Sequence, residues 1–432
     1  MRRRQWSALC AGAVLSLALS ACGNGAIPSA GNDASTLRVW FPGNLSSEIA
    51  LVNDELVPAF EAKHPGVDVQ VEFVDWGNLS TRLSTAFAGN TAPDVFGHGN
   101  AAAAGFAKAG RVAPLDERVA GLPGGAADLT FLADGKVDGK QYVMPLRGFG
   151  YLIAYRTDLM TAAGLDPAKP PTTWDELRSA AQKLTVRDGG KITRSGLLLA
   201  TDNPTSMTQS FASFLYQAGG AFLGPDGAAV TWNSPEAASA LSFATGLYQG
   251  GDAVATGVGE KTTNTGAQHP LVTGRAAMAL IDDATLKTIY EQAPEVAKNI
   301  AVAPATTGPK AAASFGGAGN GMFVSAGSKQ QDRAWEFISF LLEAENLKKY
   351  TMAVGGIPAR GSLAKDPELA ALPYLAPYMT SAAAFRGNPV HPKWTQLRDA
   401  LGASVEKAFR TPLAPQAALD EAAAAAEKVL KG

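Results

Sequence analysis

Val67-Asp68-Val69-Gln70-Val71-Glu72-Phe73 places an apolar side chain at every second position. A period of two belongs to a strand with one face buried. Upstream, Ile49, Val52, Leu56 and Phe60 recur at helical spacing, and Lys63-His64-Pro65-Gly66 stops that helix. Before it, Thr36 to Phe41 reads as a first short strand that runs into Trp40-Phe41-Pro42. Downstream, Leu79, Leu83 and Phe87 mark a second helix, and Ala92-Pro93-Asp94-Val95-Phe96 reads as a buried strand. Strands alternating with helices at this rhythm predict βαβ units and a mostly parallel sheet.

The chain changes character between Lys140 and Arg156. Tyr142 to Pro145 and Tyr151 to Tyr155 are strand-like, with Leu146-Arg147-Gly148-Phe149-Gly150 between them. Capped helices follow. Thr173-Trp174-Asp175-Glu176 has the form of a capping box, and Ser234-Pro235-Glu236 sets a cap before a first-turn proline. Ser328 is expected to open a further helix, with Ala334, Phe337, Ile338, Leu341 and Leu342 on one face. The alanine-rich end, Leu419 to Leu430, favours helix. No repeat of 20 to 50 residues is visible, which argues against a solenoid.

The first 22 residues say where the body works. Arg2, Arg3 and Arg4, an apolar run from Ala11 to Leu19, and a small-residue cleavage site make a secretory signal too short to span a bilayer. Leu19-Ser20-Ala21-Cys22 resembles the lipobox of bacterial lipoproteins. That resemblance implies a diacylglyceryl group on Cys22, cleavage before it, and a body tethered outside the cytoplasm. The stretch from Gly25 to Ser35 reads as the tether. Of the two cysteines, Cys10 leaves with the signal and Cys22 is lipidated, so the body has no disulfide and relies on its core. Loss of the signal removes three of 37 basic residues and none of 39 acids, taking the formal charge from −2 to −5. A net negative body argues against a nucleic-acid partner.

A search for catalytic motifs returns little. The sequence has no H-E-x-x-H, G-x-S-x-G or C-x-x-C, and its four histidines are scattered. Gly316-Gly317-Ala318-Gly319-Asn320-Gly321 lacks a P-loop lysine and precedes a strand, Met322-Phe323-Val324, where a dinucleotide fingerprint would open a helix. Asp282-Asp283 keeps an exported glycosidase open as an alternative. No cofactor and no metal site is expected.

Several motifs occur in a telling order. They are the lipobox, Ala92-Pro93-Asp94-Val95, Asp138-Gly139-Lys140-Gln141-Tyr142-Val143-Met144-Pro145, and Tyr155-Arg156-Thr157-Asp158-Leu159 followed by Pro171 to Leu177. Then come Ser234-Pro235-Glu236-Ala237, Val272-Thr273-Gly274-Arg275-Ala276-Ala277-Met278, Gly316-Gly317 and Gly355-Gly356-Ile357-Pro358-Ala359-Arg360. This order resembles the maltose-binding-protein-like solute-binding lipoproteins of ABC importers, over essentially the whole mature chain. The resemblance implies an α/β fold of two lobes closing on a ligand, with several crossings between them. The expected division is a signal at 1–21, a lipidated tether at 22–35, a first lobe at 36–146 plus 322–361, and a second at 147–321 plus 362–432. It also implies a monomeric binding protein rather than an enzyme, a sugar ligand, permease partners and a membrane anchor.

On that template the ligand sits beyond the carboxyl end of the first strand, near Trp40 to Asn44. The first crossing puts Arg147 and Phe149 in the cleft, and the glycine run brings Gly317 and Asn320 close to a ligand. Sugar recognition needs aromatic faces and directional charged or amide groups. Trp40, Trp76 and Trp394 lie in loop-like segments and are candidates for stacking, with core packing an equal reading for any one of them. Trp174, Trp232 and Trp335 are assigned to packing. Asp282 and Asp283 stand where the family usually has a Gly-x-Trp, which points to hydroxyl or amine recognition there. His98 and Asn100 follow the third strand and are candidates for the cleft, with a surface loop an equal reading. Arg386 is a candidate too, with a surface ion pair an equal reading, and with Arg147 it leaves open a glycerophosphodiester or glycerol-phosphate ligand.

Overall fold

The computed structural model describes residues 35–122 and 125–431, so the signal, Cys22 and nearly all of the tether lie outside the described residues. Eleven strands carry the architecture. They are β1 Thr36–Pro42, β2 Asp68–Val74, β3 Val95–Gly99, β4 Met144–Pro145, β5 Arg147–Arg156, β6 Val186–Asp188, β7 Lys191–Leu198, β8 Ala276–Asp282, β9 Ser314–Ala318, β10 Asn320–Val324 and β11 Phe385–Arg386. The first sheet has the order β2-β1-β3-β10-β4 and the second β11-β9-β5-β8-β7-β6. Each sheet belongs to one α/β lobe.

Parallel pairing of β1 with β2 and β3 is what the opening βαβ rhythm predicts. The sheets as wholes are mixed, however. β10 runs antiparallel to β3, and β5 runs antiparallel to both β8 and β9. These strands arrive from the other lobe or turn back directly, without the crossover helix that parallel neighbours need.

Local signals account for most helices. Residues 46–63 form one helical run, but Leu51–Leu56 is a π turn just before Pro58, which has no N–H to give. Asp75 caps the helix Trp76–Ala88, which buries Leu79, Leu83 and Phe87. The Thr173 capping box and the Ser234 cap are both present. The helix expected from Ser328 begins at Gln331 instead. Ser328 gives its hydroxyl to Asp94 at 2.5 Å and accepts from Gln330 N, so it anchors a turn. Among the described residues no helix is long and apolar enough to cross a membrane.

Each lobe has its own core. Leu37, Val39, Phe41, Phe60 and Phe337 fill the first, while Leu197, Phe211, Trp232, Leu241 and Leu401 fill the second. Leu363, Leu369 and Leu375 also bury in the first core. The chain therefore leaves the first lobe later than residue 361, because these leucines hold it there. Tyr378 is the next anchor, donating its hydroxyl to Ile281 O at 2.9 Å in the second lobe.

Crossings occur at Leu146, between β4 and β5, and at Gly319, between β9 and β10. They lie side by side: Leu146 N donates to Asn320 O at 3.1 Å and Gly319 N to Arg147 O at 3.0 Å. Ile357–Pro358 pairs with Gly148 and Arg147 alongside. Glycine here makes room. A methyl on Gly148 would meet the Phe131 ring, and one on Gly150 the Phe385 ring.

Candidate ligand-binding site

At the carboxyl end of β1 the chain bends through Gly43, whose φ of 104° suits glycine. That bend presents Asn44 and, in the first helical turn after it, Glu48. β2 ends beside it, with Gly43 N donating to Val74 O at 2.7 Å. The Asp75 cap then starts the next helix at Trp76, which is 48% exposed although its neighbours Val74 and Leu79 are buried. From the crossing comes Arg147, the first residue of β5. From the second lobe come Asn264 and Ala284. A cavity of about 70 Å³ is lined by Asn44, Glu48, Trp76, Arg147, Asn264 and Asn320, with Ala284 beside them. It thus draws on both lobes and on both crossings.

The charges are arranged around Arg147. Its Nη1 stands 3.5 Å from Oδ1 of Asp283, which is fully buried at the start of the helix Asp283–Gln292. Burial pushes the Asp283 carboxyl up to about 7, and Arg147 opposes this only in part. Glu48, 4% exposed, is likewise pushed up to about 7 by burial, against the pull of a Tyr350 hydrogen bond and of Arg147. Tyr350 donates its hydroxyl to Glu48 Oε1 at 2.5 Å and accepts from Asn320 Nδ2 at 3.4 Å. Arg147 Nε and Nη1, Asn320 Oδ1 and Asp283 Oδ2 are buried and make no hydrogen bond. Such groups are rare in a finished core and call for an explanation. Unused donors and acceptors beside an exposed indole are what a polyhydroxy ligand could satisfy.

Four expected residues, Asn44, Trp76, Arg147 and Asn320, line this cavity, with Asp283 behind Arg147. Others lie elsewhere. Trp40 is inside β1, 8% exposed, with Arg82 over its ring at 4.8 Å; strand alternation turns it into a core. Trp394 is the first residue of the helix Trp394–Arg410, 1% exposed and packed 5.0 Å from the Phe222 ring, so it is core. Asp282 is a helix cap: its carboxylate accepts from Thr285 N at 2.9 Å and from the Thr285 hydroxyl at 2.6 Å. Arg386 is exposed and donates to the carbonyls of Ala383 and Phe385 in its own loop.

His98 packs edge-on to Trp76 and shares a hydrogen bond with Ser80 at 3.1 Å; burial pushes it down to about 4, so it is neutral at pH 7. Asn100 turns its amide to the carbonyl of Asp134. Phe149 is half-buried against Phe315 and Tyr151. Gly317 pairs with Phe149 between β9 and β5.

Sequence reading missed Glu48, Asn264 and Tyr350. Glu48 had a signal: an acid one turn beyond the carboxyl end of a first parallel strand, where open α/β sheets bind ligands. Asn264 holds φ 53°, which asparagine tolerates better than most residues, but nothing in Thr262-Thr263-Asn264-Thr265 singles it out. Tyr350 reads as one more apolar position on its helix.

Two α/β lobes joined by side-by-side crossings, with an underused polar cavity where they meet, define the architecture of a two-lobed ligand-binding protein. The pattern for bacterial extracellular solute-binding proteins matches residues 46–348, and the chain belongs to that family. A Brucella abortus chain named as a binding protein is 28% identical over 436 residues, covering 99% of each chain. The diacetylchitobiose-binding protein DasA of Streptomyces coelicolor is 26% identical over 341 residues, covering 77% of this chain and 75% of its own. Among solved structures, the GacH receptor of Streptomyces glaucescens, studied unliganded and with acarbose, superposes with a TM-score of 0.79 at 26% identity, covering 92% of this chain and 98% of that one.

Proposed function

We propose that this protein captures a carbohydrate, a mono- or oligosaccharide, between its lobes and delivers it to an ABC importer. The observation that carries the reading is the set of unpartnered polar groups on Arg147 and Asn320, which line a cavity with Trp76 on its wall, and on Asp283 behind Arg147. An indole face takes the apolar side of a sugar ring, and the polar set takes its hydroxyls. The saccharide named for DasA supports the same ligand class. A glycerophospho ligand has less support. Arg147 already faces the carboxylates of Asp283 and Glu48, and Arg386 is engaged with its own loop.

In this reading residues 1–21 are the export signal and Cys22 carries the lipid, leaving the body on the outer face of the cell membrane as a monomer. The first lobe takes residues 36–146 and about 322–377, the second about 147–321 and 378–431, the later boundary following Leu375 and Tyr378. Cys22→Ser should move the protein from the membrane to the soluble fraction. For the ligand, a thermal-shift screen over sugars and glycerophosphodiesters is decisive. A ligand at 100 times its Kd stabilises the fold by about 2.7 kcal/mol. Stabilisation by glycerophosphodiesters and by no sugar would refute the carbohydrate assignment.

A further inference from the structure

We propose that Glu48 sets what this site accepts: it takes the hydrogen of a ligand hydroxyl next to Arg147 and turns away an anion at that place. The proposal rests on the carbohydrate reading and names the residue that makes the site selective.

The two oxygens of Glu48 have different surroundings. Oε1 is engaged by the Tyr350 hydroxyl, which fixes the carboxyl group in a site where Glu48 is 4% exposed. Oε2 faces the bend at Gly43. A Cβ on Gly43 would lie 3.9 Å from Glu48 Oε2 and 3.2 Å from Trp76 Nε1. The bare glycine therefore leaves open the space between an indole donor and a carboxylate acceptor. On the same cavity stand Arg147, with Nε and Nη1 making no hydrogen bond, and Asn320, with Oδ1 likewise unpartnered.

Donors from Trp76 and Arg147 and acceptors from Glu48 and Asn320 thus share one small space. A hydroxyl group both gives and receives, so two neighbouring hydroxyls match this set. A phosphoryl group offers acceptors alone and would face the Glu48 carboxylate. The one guanidinium that could compensate already stands 3.5 Å from Asp283. Above pH 7, where Glu48 is ionised and held in place by Tyr350, its like charge opposes an anion, a common source of specificity.

The test is calorimetric titration of the full exported chain at pH 8, where Glu48 is ionised, with maltose, diacetylchitobiose and mannotriose. For whichever sugar binds, its phosphate ester and its monodeoxy analogues follow. Wild type should bind the phosphate ester at least tenfold more weakly than the sugar, and at least one deoxy analogue should lose tenfold or more. Glu48→Gln should weaken sugar binding at least tenfold and bring the ester and the sugar closer together. Should Glu48→Gln fail to fold, the wild-type series with deoxy and phosphorylated ligands decides by itself. Equal affinity for sugar and ester, tolerance of every deoxy analogue, or Glu48→Gln binding within twofold of wild type would each overturn the proposal. Failure of wild type to bind any sugar would refute the carbohydrate reading on which this proposal rests, whereas binding a sugar while failing the ester, deoxy or Glu48→Gln comparison would refute this proposal alone.

Discussion

Arg147 Nη1 stands 3.5 Å from Asp283 Oδ1, and its charge also acts on Glu48 from the first lobe. One half-buried cation is thus shared by two buried acids contributed by different lobes. Removing one partner of a buried pair leaves an uncompensated charge, which typically costs about 3–5 kcal/mol. Here the acids can escape that cost by taking up protons. Arg147→Met should therefore lower the midpoint of chemical unfolding strongly at pH 8 and far less at pH 5. An equal loss at both values would show that the guanidinium acts through packing alone.

The acids themselves make stability depend on pH. Glu48 and Asp283 are held near 7 in the folded protein, above their ordinary values of 4.5 and 3.8. Below about pH 4 both states carry the protons and neither group matters. As pH rises toward 7 the unfolded chain ionises first, so it binds fewer protons and stability falls. For Glu48 the loss is on the order of 3 kcal/mol once the pH passes 7. Glu48→Gln should unfold at a higher temperature than wild type at pH 8 and at nearly the same temperature at pH 4.5. A constant difference across that range would contradict the assignment.

Asp282 and Asp283 adjoin in sequence but do different work. Asp282 satisfies Thr285 N and the Thr285 hydroxyl, the role of a helix cap. Loss of such a cap costs about 0.5–2 kcal/mol. Asp282→Ala should therefore lower the melting temperature by a similar amount at pH 6 and pH 8. A melting temperature equal to that of wild type would restore Asp282 to the list of ligand groups.

Of the three tryptophans that are stacking candidates by sequence, Trp76 and Trp394 should also separate. Trp394 is 1% exposed among second-lobe core residues, and removal of such a side chain costs about 3–5 kcal/mol. Trp76 is 48% exposed, so Trp76→Ala should change stability by no more than about 0.5 kcal/mol. Its effect should fall on sugar affinity instead. Strong destabilisation by Trp76→Ala with unchanged affinity would reverse these roles.

These contrasts mark what the sequence made legible. The alternation at Val67 to Phe73 and the helical spacing before it located the first sheet, because burial on one face dictates both patterns. The caps at Thr173 and Ser234 were legible because they are local chemistry. β5 and β10 were legible as strands at Tyr151 to Tyr155 and Met322 to Val324, but their antiparallel pairing was not, since their partners come from remote segments and the other lobe. The same holds for the site. Arg147 and Asn320 could be placed because both flank a crossing. Trp394 misled because the prolines and glycine before it look like a loop, whereas its indole fills a core formed by helices far away in sequence. Tyr350 could not be found at all, since only a distant Glu48 distinguishes it from an ordinary core tyrosine.

Closure is the remaining consequence. The cavity holds about 70 Å³, whereas pockets for drug-sized ligands span about 300–1,000 Å³. The lobes also meet away from the crossings: the helix Trp394–Arg410 touches residues Asn100–Ala102, and a Cβ on Gly105 would stand 3.3 Å from Pro392 O. A saccharide could enter only if these contacts part, with the change in backbone dihedrals absorbed near Leu146 and Gly319. Once inside, it would touch both lobes and favour the state in which they close. The glycines at the crossings are occupied by neighbouring rings and carbonyls, so they serve close packing, and the swing must come from few residues. Small-angle scattering should give a larger radius of gyration for the free protein than for the same sample saturated with a bound sugar. Gly319→Ala places a methyl 2.9 Å from Arg147 O and should alter that difference more than it alters secondary structure. An unchanged radius, with binding confirmed on the same sample, would mean that the cleft is preformed and that Leu146 and Gly319 are a rigid joint.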